Sequence, residues 1–464
     1  METVLATARD VLSKHAADGD KWSSPSSLLV VDLVQLRRKI KEWYLCFPRV
    51  KPFFAVKCNP NSKILEEIAR VSLNMEVSGD NAANRIGFDC ASEREVDMVA
   101  AAVEQCSGAS WDRLQSRWAS SIIFANPCKP RRSLEKAKQM GVKRMTFDNA
   151  DELLKVAQFY PAAELLLRLD VDGKSLADRV DVALGTKFGV SSCEEARSLL
   201  IQARDLSLTV VGLAFHVGSG CRDLNRYVAA LEFAHHVFNV ANEELQFTPK
   251  LHVLDIGGGF PGISRIDPFP KLQVESPQIA KRSANEFSDS YPSLQEVAAT
   301  INPMLDKWWC SSKGFKVIAE PGRFFVQSTC TLFARVIEKF DVSRGFLPRG
   351  LAASPKENLV QRVYRLAEGV HGTFKNSAVL SYKFQPAVLD CNHYDWSSTH
   401  RAIFRGCSDF EADVASGGHN VVQLPDLLVG DYVYFANMGA YSIALASESK
   451  AFPLPDLVYI QHNS

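Results

Sequence analysis

The amino-acid sequence predicts an α/β protein: a (β/α)8 barrel followed by a C-terminal antiparallel β-barrel or sandwich domain. Three observations predict it. From about residue 50 to 260, short apolar runs alternate with longer amphipathic stretches. The runs are apolar throughout, as parallel strands covered by helices on both faces must be. After about residue 300 the runs shorten or alternate, with Pro and Gly between them, as antiparallel strands do. The number of strand-helix repeats favours a closed barrel over an open sheet. The expected organisation is an N-terminal segment over 1–45 packing with the β domain, a barrel over 46–300 and a β domain over 301–464.

The barrel strands are read from "PFFAVK", "SIIFANP", "RMTFDN", "ELLLRLDV", "VVGLAFHVGS" and "LHVLDIGGG", all rich in β-branched and aromatic residues. Helical patterns lie between them, such as "NSKILEEIARV", "SLEKAKQMG" and "CEEARSLLIQARDL", the second ended by Gly141. Several strands end in polar or glycine residues: Lys57, Asn126, Arg168, His216 and the triplet starting at Gly257. A barrel carries its chemistry at the C-terminal ends of its strands, so these residues outline a candidate active-site rim. The second domain is read from "FKVIAEPGRFFV", "CTLFARVIEKF", "DYVYFANMGAY" and "DLVYIQ". Stretches near 71–84 and 107–118 read as surface insertions, and 265–295 and 381–425 as irregular loops.

The totals exclude several classes of function. Lys+Arg and Asp+Glu both number 53, giving a net charge of zero, where a nucleic-acid binder normally carries a basic excess. No apolar run reaches the roughly 18 residues needed to span a bilayer. The first residues, "METVLATARDVLSKHAADGDKW", lack the apolar centre of a secretion signal. The 11 cysteines are scattered without a CxxC pair, so neither a metal site nor a disulfide framework is expected. Reduced thiols in the cytoplasm are the expectation.

Lys57 is the first candidate for chemistry. It closes the apolar run of "PFFAVKCNP", and a lysine is almost never buried unless it is paired or chemically employed. A buried lysine is a good imine former, because desolvation lowers its pKa toward neutrality. "LDIGGGFPG" places Gly257, Gly258 and Gly259 directly after a strand, where backbone N–H groups can cradle a phosphate; a tight strand-to-helix turn reads equally well from that motif alone. "FHVGSG" adds His216 and Ser219, and "EPGRFF" sets Glu320 and Arg323 at a turn. An imine-forming lysine, a phosphate cradle and an acid for a pyridine nitrogen together make pyridoxal 5'-phosphate the natural cofactor.

Together with "GFDCASERE", "IIFANPCKP", "TKFG", "EGVHGTF" and "NMGAY", these motifs resemble, in order and over nearly the whole chain, the eukaryotic ornithine decarboxylase family. These are barrel-type decarboxylases related to the alanine-racemase fold. The resemblance implies that Lys57 binds the cofactor covalently and that His216 stacks on its ring. It implies that Ser219, Gly257, Gly258, Gly259, Arg323 and Tyr441 bind the phosphate. Glu320 matches the carboxylate facing the pyridinium nitrogen, where related racemases use a cationic residue. Asp89, Glu95, Arg168 and Lys187 match positions that shape or brace the site. A homodimer with active sites shared across the interface is implied in the same way, with a small amino acid as substrate.

The departures fall where that family grips its substrate. Val379 and Leu380 take the place of a Tyr-Asp pair whose acid attends the substrate's distal ammonium, His371 replaces a tyrosine, and Ser449 a phenylalanine. An aliphatic slot leaves a buried ammonium poorly paired. The family's proton-donating cysteine loop corresponds to "IFRGCSDFEAD". Counted without gaps, Ser408 takes the cysteine's slot and Asp409 that of the amine-binding acid. A one-residue shift makes Cys407 the donor, and one insertion places Asp409 in the cysteine slot with Asp413 as the family's last Asp. Cys391, with Asp395 four residues on, is a decoy lying too soon after "EGVHGTF". The expected function is decarboxylation of an ornithine-like L-amino acid with a modified distal end, as in loline-type alkaloid or polyamine metabolism. Plain ornithine decarboxylation and an inactive, antizyme-inhibitor-like binding protein are the alternatives.

Overall fold

The computed structural model describes residues 1–16, 25–77, 86–171, 180–182, 188–263, 291–341, 362–376, 384–408, 413, 421–447 and 453–461. In chain order the strands are β1 (Ser27–Asp32), β2 (Val50–Ala55), β3 (Gly87–Cys90), β4 (Ile122–Phe124), β5 (Arg144–Phe147), β6 (Glu164–Leu169), β7 (Val180–Val182), β8 (Thr209–Phe215), β9 (Ser219–Cys221), β10 (Val253–Asp255), β11 (Lys316–Ala319), β12 (Cys330–Asp341), β13 (Arg362–Leu366), β14 (Pro386–Val388), β15 (His400–Arg405), β16 (Val422–Leu424), β17 (Tyr432–Phe435) and β18 (Asp456–Ile460). The helices used here are α1 (Glu2–Ala16), α2 (Leu33–Cys46), α3 (Ser62–Val77), α4 (Glu93–Ser107), α5 (Trp111–Trp118), α6 (Arg131–Gln139), α7 (Ala150–Phe159), α8 (Cys193–Asp205), α9 (Asn225–Asn239) and α10 (Leu294–Trp308).

Eight parallel strands, β2-β3-β4-β5-β6-β8-β10-β11, close into a barrel in which β11 returns to β2. Phe53, Ile123, Leu166, Val211, Ala214, Val253 and Ile318, drawn from six of these strands, form one buried cluster. Gly87 makes room for it: a Cβ there would sit 2.4 Å from the Phe53 ring. Helices α4, α7 and α8 each begin at a side-chain cap. Ser92, Asn149 and Ser192 each accept from the amide three residues on, at Glu95, Glu152 and Glu195, satisfying a donor that a helix start otherwise leaves orphaned.

The barrel runs past the expected boundary at 300. "FKVIAEPGRFFV" is not an antiparallel strand of the second domain, because β11 pairs in parallel with β10 and β2. The described residues divide into two compact units, 37–263 with 291–325, and 1–36 with 326–461. In the second unit β12 is long. Its first half pairs with β1 and β17 and its second half with β13. The sheet is mixed rather than purely antiparallel, since β1–β18 and β13–β15 run parallel. Val4, Ala8 and Leu12, one face of α1, pack on Leu28, Val30, Phe333 and Tyr434 of this sheet. The insertion expected over 107–118 is largely the helix α5, which buries Trp111, Leu114 and Trp118, and α3 runs through residues 71–77.

Candidate active site

The C-terminal ends of the barrel strands hold most of the residues expected to act. The glycine loop after β10 is stitched on both sides: the Cys221 amide donates to the Gly259 carbonyl at 2.9 Å, and the Glu320 amide to the Gly257 carbonyl at 2.6 Å. No larger residue fits. A Cβ at Gly257, whose φ is 61°, would lie 2.0 Å from the Phe215 carbonyl oxygen, and one at Gly258 would lie 2.6 Å from His216 Nε2. The loop is therefore bare backbone pressed against His216. Beside it, Arg323 Nε donates to Ser219 Oγ at 2.8 Å, bringing together two of the expected phosphate ligands.

Lys57 stands in a single turn after β2, and its ammonium lies 2.5 Å from Asp89 Oδ2. Its side chain is 37% exposed, whereas Asp89 is fully buried. The expectation of a desolvated, buried lysine is thus corrected: the amine projects from the strand end and is held by a buried acid. The barrel does contain a fully buried lysine, Lys129. It donates to the carbonyls of Asn126 and Thr146 and pairs with Glu152 at 2.8 Å.

Half-buried His216 accepts at Nδ1 from the Gly218 amide at 3.0 Å, so its proton sits on Nε2 and the ring is neutral. Burial, together with the Arg168 and Lys57 cations, holds its pKa well below the usual histidine value. Glu320, buried at the end of β11, is pushed far above the carboxylate range by burial and by Asp255 and Asp89. Asp255, the last residue of β10, was not anticipated. It shows in the sequence as an acid closing an apolar strand, the same signal that drew notice to Lys57. Glu95 braces the start of α4, accepting from the Ala91 amide at 2.7 Å.

The remaining candidates divide. Tyr441, Cys407, Ser408 and His371 belong to the second unit. Tyr441 adopts a left-handed backbone, φ 56°, a conformation that costs a non-glycine residue about 1 kcal/mol and recurs at functional sites. Asp413, nearly fully buried, ties the loop of Cys407 and Ser408 to the turn before His371. It accepts from the Ser408 amide, from Ser408 Oγ at 2.5 Å and from the Val370 amide at 2.8 Å. Burial, then Asp413, raises the Cys407 thiol. Lys187, Val379, Leu380, Asp409 and Ser449 lie outside the described residues.

The barrel-end residues fit pyridoxal phosphate. The cradle excludes every Cβ, the histidine beside it is neutral and flat, and two buried polar atoms, Asp89 Oδ1 and Arg168 Nε, have no hydrogen-bond partner among the described residues. Fold and site together define a barrel-type pyridoxal-phosphate enzyme. The family described as pyridoxal-dependent decarboxylase, pyridoxal binding domain, matches residues 33–327. The mouse (Mus musculus) ornithine decarboxylase is 32% identical over 457 residues, covering 98% of this chain and 85% of that protein. Antizyme inhibitor 2 of Xenopus laevis is 33% identical over 450 residues, covering 96% and 83%. The arginine decarboxylase of Paramecium bursaria Chlorella virus superposes with a TM-score of 0.74 at 28% identity, covering 98% of this chain and all of that one. The chain belongs to the ornithine decarboxylase family of pyridoxal-dependent decarboxylases, and it is a pyridoxal-phosphate-dependent amino-acid decarboxylase.

Proposed function

We propose that this enzyme decarboxylates an L-amino acid that is ornithine-like in length but lacks a free distal ammonium. The observation that carries the reading is the convergence at one barrel end of Lys57 paired with Asp89, the glycine cradle with Ser219 and Arg323, and buried Glu320. When bound, the cofactor supplies a sink for the electron pair left by departing carbon dioxide. Lys57 would hold it covalently, with Asp89 aiming the lysine amine. Gly257, Gly258, Gly259, Ser219 and Arg323 would hold the phosphate; the family resemblance alone adds Tyr441. His216, neutral, would stack on the ring, and Glu320 would face the ring nitrogen. Arg168, charged and buried beside them, braces the site.

The proton that replaces carbon dioxide comes from the loop of Cys407 and Ser408. The buried anchoring of Asp413 supports the register in which it is the family's closing acid; Asp409 then takes the cysteine's slot and Phe410 that of the amine-binding acid. With Val379 and Leu380 in the second grip, neither contact to a distal ammonium survives. The enzyme works as a cytoplasmic homodimer with shared sites, a reading supported by the family. Among the described residues no helix is long and apolar enough to cross a membrane.

The test is carbon dioxide release from ornithine, lysine, arginine and N-substituted diamino acids. A substituted substrate is expected to lead; ornithine turning over as fast as any other makes this a plain ornithine decarboxylase. The 33% identity to an antizyme inhibitor favours a second reading, a binding protein without activity. A purified protein that is colourless and releases no carbon dioxide from any member of the panel supports that one.

A further inference from the structure

Behind Glu320 stands the second acid, Asp255. It is fully buried at the end of β10, and its Oδ1 accepts from the Gly257 amide at 2.8 Å. The Gly257 carbonyl in turn accepts from the Glu320 amide, so one glycine clamps both acids. Asp255 Oδ2 and Glu320 Oε1 are both buried with no hydrogen-bond partner among the described residues, and each carboxyl bears on the other's ionisation. Two neighbouring carboxylates in a buried setting repel, and a single proton shared between them removes the conflict. The charged groups around the pair come from three other strand ends: Asp89 adds negative charge, while Lys57 and Arg168 oppose it. His216, also beside them, is neutral. In keeping with this, burial pushes Asp255 up to about 6 and Glu320 well above its usual range.

We propose that Asp255 is a positioning residue for the ring-nitrogen subsite: it shares one proton with Glu320 in the unliganded enzyme, and the pair gives that proton to the cofactor's ring nitrogen on binding. One proton leaves the carboxyl pair, one N–H bond forms, and no electrons are transferred. The nitrogen then faces two carboxylates rather than one, which raises its basicity and keeps it protonated in a buried site. This rests on the reading that Glu320 faces that nitrogen.

The experiment loads the wild-type enzyme, D255N and E320Q with pyridoxal phosphate carrying 15N in the ring, and follows the nitrogen's chemical shift against pH. Asparagine keeps the acceptor for Gly257 and offers Glu320 an N–H, so a merely structural Asp255 leaves D255N like wild type. The electrostatic role instead makes the D255N nitrogen lose its proton at least about one pH unit lower. E320Q is expected to leave the nitrogen unprotonated throughout. A D255N titration matching wild type, with E320Q altered, overturns the role of Asp255 and leaves Glu320 in place. An E320Q titration matching wild type overturns the Glu320 reading itself.

The unliganded proteins give a second measurement, which needs no cofactor retention. A carboxyl whose folded pKa is raised contributes stability below its unfolded pKa and loses it as pH rises through the folded value. Wild type is therefore expected to lose Tm relative to D255N as pH climbs from 3.8 through about 6. Parallel Tm curves for the two proteins overturn the shared proton.

Discussion

At the scale of single residues, the proposed reading gives Lys57 the chemistry and Asp89 its orientation. Replacing Lys57 with alanine removes the covalent hold on the cofactor, and turnover is expected to fall by at least about three orders of magnitude. Arginine at 57 keeps a cation for Asp89 but forms no imine, so K57R is expected to fold as wild type and be equally inactive. Carbon dioxide release and the visible cofactor band, measured on both variants, check this; residual turnover in K57R near that of wild type assigns the chemistry to another amine. Lys57 was legible because a cation closing an apolar strand has few bland explanations. Its environment was not, since burial depends on what the neighbouring strand ends supply. The sequence marks "VKCNP" and "PCKPRR" alike, yet the fully buried ammonium is that of Lys129. Asp255 escaped for the opposite reason: the three glycines after it drew the eye from an acid placed as suggestively as Lys57.

At the scale of elements, the buried lysine shows how adjacent strand-helix units are fastened. The Lys129 ammonium joins the end of β4, through the Asn126 carbonyl, to the end of β5, through the Thr146 carbonyl. It also meets Glu152 in the first turn of α7, which Lys155 holds from the other side. K129M leaves both carbonyls and part of Glu152 without their donor, and removing one partner of a buried pair costs about 3–5 kcal/mol. Urea unfolding is expected to show a loss of that order. The double variant K129M/E152M is expected to lose less than the sum of the singles, because the two are in contact; strict additivity denies that they act as one fastening. The helix bodies and the stop at Gly141 were legible at this scale, because their apolar periodicity and the glycine carry their own mechanism. The strand β11 was misread. Three apolar residues before "EPG" look alike in a parallel barrel and in an antiparallel sheet, and what separates them is pairing with β2, more than 260 residues earlier in the chain.

At the scale of the whole molecule, that one strand decides where the barrel ends. Without β11, β10 and β2 each expose a row of unpaired backbone groups, and the cluster that holds Phe53 and Val253 loses Ile318 and opens to water. Open, apolar strand edges pair with other chains, whereas closure abolishes edges. Glu320 and Arg323 would be lost with the strand, removing the proposed ring-nitrogen acid and a proposed phosphate ligand together. A chain cut to residues 37–325 is therefore expected to be soluble, with far-UV circular dichroism of mixed helix and strand and a cooperative thermal transition. One cut to 37–315, which keeps α2 and α10 to the same extent and drops β11, is expected to aggregate or to melt without cooperativity. The comparison isolates closure, because both pieces lack the second unit. Equal solubility and equally sharp melting of the two pieces would mean that seven strands suffice, and that β11 serves the site rather than the fold.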